Sequence, residues 1–132
     1  MIVLDASAAI ELLLRTARGE RVEALIEDPD VTLHAPYLLD VEVTQVLRRL
    51  SRAGTLTANR ASLALETLAE LRITRYDHTL VLKRVWALRD TLSAYDACYV
   101  ALAEQLDARL ITFDAQLAKA KHRATIVLPG RA

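Results

Sequence analysis

Cysteine is almost missing from this chain: Cys98 stands alone, so no internal disulfide and no multi-cysteine zinc site can form. Glycine and proline number three each, and no low-complexity segment, Gly/Ser linker or internal repeat interrupts the sequence. Long apolar runs are also lacking. The longest, Ala97 to Ala103, has seven residues, where a membrane helix needs about 20. Met1 leads straight into Ile2-Val3-Leu4-Asp5 without a basic stretch or a cleavable apolar segment, so no export signal is visible and a cytoplasmic location is expected. Net charge is zero, with 17 Lys and Arg against 17 Asp and Glu, which argues against a general nucleic-acid coater.

What remains is the make-up of a soluble globular protein: 132 residues, 53% apolar and 26% charged. That length predicts one domain over 1–132, able to bury roughly two-thirds of the unfolded chain's surface. The charge is unevenly spread. Residues 1–47 hold three Arg against nine acids, and residues 48–89 hold nine Arg or Lys against three acids. A basic middle beside an acidic start permits a phosphate-bearing partner, and solvated helix faces explain the same pattern.

Short β-prone runs alternate with helical ones. Strands are expected at Ile2–Leu4, Val31–Ala35, Arg72–Tyr76, Arg109–Phe113 and Ala124–Leu128. Helices are expected over Ser7–Arg15, Glu20–Glu27, Tyr37–Ala53, Ala58–Leu71, Leu80–Arg89, Tyr95–Leu106 and Ala115–Ala120. Gly54 suits the residue after the third helix, Thr57 a cap for the fourth, and Ser93-Ala94-Tyr95-Asp96 a capping box before the sixth. Such alternation implies crossovers and a mostly parallel sheet covered on both faces, whose ligands bind beyond the carboxyl ends of the strands.

Carboxylates occupy those junctions. Asp5 follows the first strand, Asp114 follows the run Arg109–Phe113, Asp96 lies in the first turn of the most apolar helix, and Glu42 lies early in the third. Taken singly, Asp114 and Asp96 read as caps, Asp5 as a turn residue and Glu42 as a solvated acid. Brought to one sheet edge, the four would repel unless a cation neutralised them, and Mg²⁺ or Mn²⁺ suits oxygen ligands. Ser7 and Thr112 are placed to fix neighbouring carboxylates by hydrogen bonds, with Thr112 and Asp114 on one strand face. Asp40 competes with Glu42 as the helical acid. They lie about 200° apart around a helix, and Glu42 borders the apolar stripe of Leu38, Leu39 and Val46. His34, His78 and His122 share no ligand spacing and read as surface or turn residues; Cys98, Trp86 and Tyr99 read as core.

These pieces together resemble the PIN-domain ribonucleases, specifically the VapC-like toxins of bacterial type II toxin–antitoxin modules. The matching segments are Ile2-Val3-Leu4-Asp5-Ala6-Ser7; Pro36 with Leu38-Leu39, Glu42 and Val46-Leu47; Ser93-Ala94-Tyr95-Asp96-Ala97 with Tyr99-Val100-Ala101-Leu102-Ala103; and Leu110-Ile111-Thr112-Phe113-Asp114. They run in family order along the whole chain. The resemblance implies a PIN-like three-layer α/β/α fold around a five-stranded parallel sheet. It also implies Asp5, Glu42, Asp96 and Asp114 as catalytic and metal-binding acids, supported by Ser7 and Thr112. The implied activity is Mg²⁺- or Mn²⁺-dependent RNA hydrolysis leaving 5′-phosphate and 3′-hydroxyl ends. The implied partners are an RNA substrate, a small VapB-like antitoxin with a basic residue near Asp5 and Asp96, and a second copy in a homodimer. Arg48, Arg49 and Arg52 close the helix of Glu42 and are candidates to contact RNA. Many relatives place Asn three residues after the helical Glu, where this chain has Gln45.

Other readings meet specific obstacles. A haloacid-dehalogenase-type phosphatase needs a second Asp two residues after the first, where Ser7 stands. An RNA-maturation nuclease would share the acids, and a non-catalytic α/β binding module would use them as caps that bind no metal.

Overall fold

The structure, a computed structural model, describes residues 1–130. Its strands are β1 (Ile2–Leu4), β2 (Leu33–Pro36), β3 (Ile73–Tyr76), β4 (Arg109–Ile111) and β5 (Thr125–Val127). Its helices are α1 (Ala6–Leu13), α2 (Ala17–Ile26), α3 (Leu38–Arg52), α4 (Ala58–Glu70), α5 (Leu82–Ala87), α6 (Ala94–Leu106) and α7 (Ala115–Lys119), with a 3₁₀ turn at His78–Leu80. All five strands are parallel, in the order β3-β2-β1-β4-β5. The expected α/β class and parallel sheet are therefore present.

Alternation along β1 separates the two layers. Val3 points into a core built with α3, α4, α5 and α6, while Ile2 and Leu4 meet Ala8 and Val22 on the other face. Helix α6 is the central element, with Ala97 through Ala103 all buried, which explains why its sequence shows an apolar run and no polar stripe. Pro36, which has no N–H to donate, ends β2 beyond the last β1–β2 pair, where only β3 still pairs with it. The order places β1 between β2 and β4, so the loops leaving β1, β2 and β4 meet at one edge.

Three expectations are corrected. Trp86 is 68% exposed, because Val81, Val85, Leu88 and Leu92 form the buried stripe and leave Trp86 off it. The expected helix Leu80–Arg89 is broken at Val81 into the 3₁₀ turn and the shorter α5. His34 is buried on β2, where Thr32 and the Tyr76 hydroxyl each lie 2.8 Å from a ring nitrogen. Gly54 does follow α3 with φ +76°, and Thr57 caps α4 through the Arg60 N–H.

Candidate active site

Asp5 accepts more hydrogen bonds than any other acid of the edge. It is the N-cap of α1, accepting the Ala8 N–H at 3.0 Å, and Ser7 Oγ donates to the same oxygen at 2.7 Å. Thr112 Oγ1 donates to its other oxygen. Each hydroxyl has one proton, so the close pair Ser7 and Thr112 spend both on Asp5 and turn their lone pairs outward. Ser7 Oγ then accepts the Phe113 N–H at 2.9 Å, and Thr112 Oγ1 accepts the Asp114 N–H at 3.0 Å. The two hydroxyls thus tie the loop after β4 to Asp5. The expected contact of Thr112 with a neighbouring carboxylate is thus made, and its acceptor is Asp5.

Asp114 N-caps α7 through the Gln116 N–H at 2.9 Å. Asp96 lies in the first turn of α6, its N–H held by Ser93 Oγ at 3.1 Å, as the capping sequence predicts. Glu42 is half-buried on α3 and accepts a hydrogen bond from the Tyr99 hydroxyl at 2.5 Å. Sequence reasoning missed that contact and assigned Tyr99 to the core alone; the available signal was its place one helical turn after Asp96.

The charges of these acids reach one another. Burial pushes the Asp5 carboxyl up, its three hydrogen bonds pull it back, and the Asp96 charge adds to the rise. Glu42 is raised by burial and by Asp96, against the pull of Tyr99. Asp96 is raised by burial and by Asp114. Among the described residues no Arg, Lys or His forms a salt bridge with any of the four. Among the described residues no three His, Cys, Asp or Glu side chains are grouped so that they could hold a metal ion as they stand. The donor set itself, hard oxygens with unbalanced negative charge, fits a hard divalent cation. Asp40 is elsewhere: Arg75 grips it with two hydrogen bonds of 2.7 and 2.8 Å. Arg48, Arg49, Arg52 and Gln45 are all exposed on α3.

Residues 2–123 match the PIN domain family model. The chain belongs to the PIN-domain family. Within it, the chain is 43% identical to Ribonuclease VapC9 of Mycobacterium tuberculosis over 117 residues, covering 89% of this chain and 88% of that one. Among solved structures it resembles VapC20 of Mycobacterium tuberculosis, a sarcin-ricin loop cleaving toxin, with a TM-score of 0.69 at 16% identity, covering 90% of this chain and 94% of that one. A toxin-antitoxin complex from Klebsiella pneumoniae gives a TM-score of 0.57 at 18% identity, covering 87% and 88%. These two likenesses show the PIN fold. Among the described residues no helix is long and apolar enough to cross a membrane.

Proposed function

We propose that this PIN-domain protein is a metal-dependent endoribonuclease toxin of a type II toxin–antitoxin pair, a single domain over 1–132 working in the cytoplasm. The observation that carries the reading is the acidic edge without a paired cation, in a chain 43% identical to a VapC ribonuclease. Asp5, Glu42, Asp96 and Asp114 would hold Mg²⁺ or Mn²⁺. Bound there, such an ion supplies an activated water and offsets charge building on the phosphoryl oxygens. Ser7 and Thr112 hold Asp5 in one orientation, and the caps of α6 and α7 fix Asp96 and Asp114 at the mouth of the edge. Attack by water leaves the 2′-hydroxyl out of the chemistry; with the P–O3′ bond breaking and the 3′-oxygen leaving as the hydroxyl, the products carry 5′-phosphate and 3′-hydroxyl ends.

The exposed arginines of α3 suit RNA phosphates. Arg49, seven residues after Glu42, returns to within about 20° of the same helix face, whereas Arg48 and Arg52 point elsewhere. For the antitoxin, a groove of about 610 Å³ away from the acids combines Leu12, Leu13 and Ile26 with Glu20, Glu23 and Glu27. It suits an apolar segment with basic side chains, and a further basic residue reaching Asp5 and Asp96 would replace the metal's charge. For a homodimer, Tyr37, Val41, Leu80, Leu82, Trp86 and Tyr95 are large apolar residues each more than half exposed.

Purified protein incubated with total RNA should cleave it in Mn²⁺ and stop in excess EDTA, with ligation chemistry confirming 5′-phosphate ends. Undiminished cleavage in EDTA, from a preparation in which Asp5→Asn is inactive, would overturn the metal mechanism.

A further inference from the structure

The Tyr99 hydroxyl crosses from α6 to α3 to reach Glu42, 57 residues away in sequence, and the tyrosine itself is 2% exposed. A buried phenol needs an acceptor, and a backbone carbonyl would satisfy it at no electrostatic cost. Here the acceptor is instead the half-buried carboxylate of Glu42, one of the four acids of the edge. Because Glu42 is one of those acids, the phenol hydroxyl stands at the acidic edge. The phenol has one proton and donates it to Glu42. The bond is to Oε1, and among the described residues no hydrogen-bond donor or cation reaches Oε2.

Resting on the metal-dependent reading above, we propose that Tyr99 is a positioning residue for that site. Its hydroxyl fixes the side chain of Glu42 on the long, otherwise mobile glutamate stem, so that Oε2 is presented as a ligand oxygen. Asp5 is held in place by Ser7, Ala8 and Thr112, and Tyr99 does for Glu42 what those three donors do for Asp5.

Tyr99→Phe keeps the ring in the core and removes only the hydroxyl. Calorimetric titration of Mn²⁺ into the full chain should show affinity weakened by about 10- to 100-fold. At saturating Mn²⁺ the RNA KM should be unchanged while kcat falls. In a Glu42→Gln background, Tyr99→Phe should change Mn²⁺ affinity no further, because the group it positions is gone. Wild-type Mn²⁺ affinity in Tyr99→Phe, or an equal loss with and without Glu42, would overturn the role while leaving the metal-dependent reading intact. A wild-type protein that neither binds Mn²⁺ nor cleaves RNA would overturn both.

Discussion

Asp40 and Glu42 sit two positions apart on α3, and Arg75 and Tyr99 draw them to different sides. Glu42→Gln is expected to abolish Mn²⁺-dependent RNA cleavage while leaving the circular dichroism spectrum unchanged. Asp40→Asn should retain cleavage and cost about 1 kcal/mol, the upper range for a part-exposed ion pair with bidentate geometry. Parallel cleavage assays and urea titrations of the two variants check this; an inactive Asp40→Asn beside an active Glu42→Gln would exchange their roles. The positions of the four acids were legible in the sequence because strand ends and first helical turns show in the pattern of apolar residues and caps. Partner choice was not. Whether Thr112 turns to Asp114 or Asp5, whether Asp40 finds an arginine, and whether Tyr99 has a polar task are decided by contacts between residues far apart in the chain.

The elements came through with their ends displaced, and the displacements have causes. Strand β4 stops at Ile111 and not Phe113 because the Phe113 N–H leaves the ladder for Ser7 Oγ. Strand β2 starts at Leu33 and not Val31 because the Val31 N–H closes a turn onto the Asp28 carbonyl. Between α5 and α6, Arg84 binds Glu104 through contacts of 2.7 and 3.1 Å, and the Arg123 N–H donates to the same carboxylate at 2.7 Å. Burial pushes Glu104 up, but these donors outweigh it and hold its pKa below the ordinary carboxylate value. A lowered folded-state pKa contributes stability that is present above the unfolded value and lost as pH falls through the folded one. Glu104→Gln should therefore lower stability at pH 7 by about 2 kcal/mol, since the Glu104 side chain is only 4% exposed. The deficit should shrink under acid conditions, where the wild type loses the same interaction. Urea denaturation at neutral and acid pH measures this, and a deficit independent of pH would mean that packing and not charge links the two helices.

At the scale of the whole molecule, Met1, Leu63 and Leu65 are exposed elsewhere, but Tyr37, Val41, Leu80, Leu82 and Trp86 lie at the start of α3 and on the 3₁₀–α5 segment. The Leu38 N–H donates to His78 at 3.0 Å, and the Tyr37 N–H reaches the Tyr76 carbonyl at 3.1 Å, so Tyr37 and Val41 adjoin Leu80 and Leu82. Trp86 lies one turn after Leu82, with the Arg89 guanidinium 4.5 Å above its ring. An isolated chain gains little by exposing Trp86 at 68%, whereas a symmetric interface would bury it against its own counterpart in a second copy. Leu82 and Trp86 share a groove with Ser93 and Ala94 at the start of α6, two residues before Asp96, so a dimer through this face would set two acidic edges near one another. The residue least tied to its own fold is the one to change. Trp86→Glu should leave the melting temperature of the monomer intact, because Trp86 lies outside the buried stripe of α5. It should convert a dimeric sedimentation profile to a monomeric one by placing like charges across the two-fold axis. Wild-type protein that sediments as a monomer at micromolar concentration, or a Trp86→Glu variant that stays dimeric, would remove this face as the dimer contact.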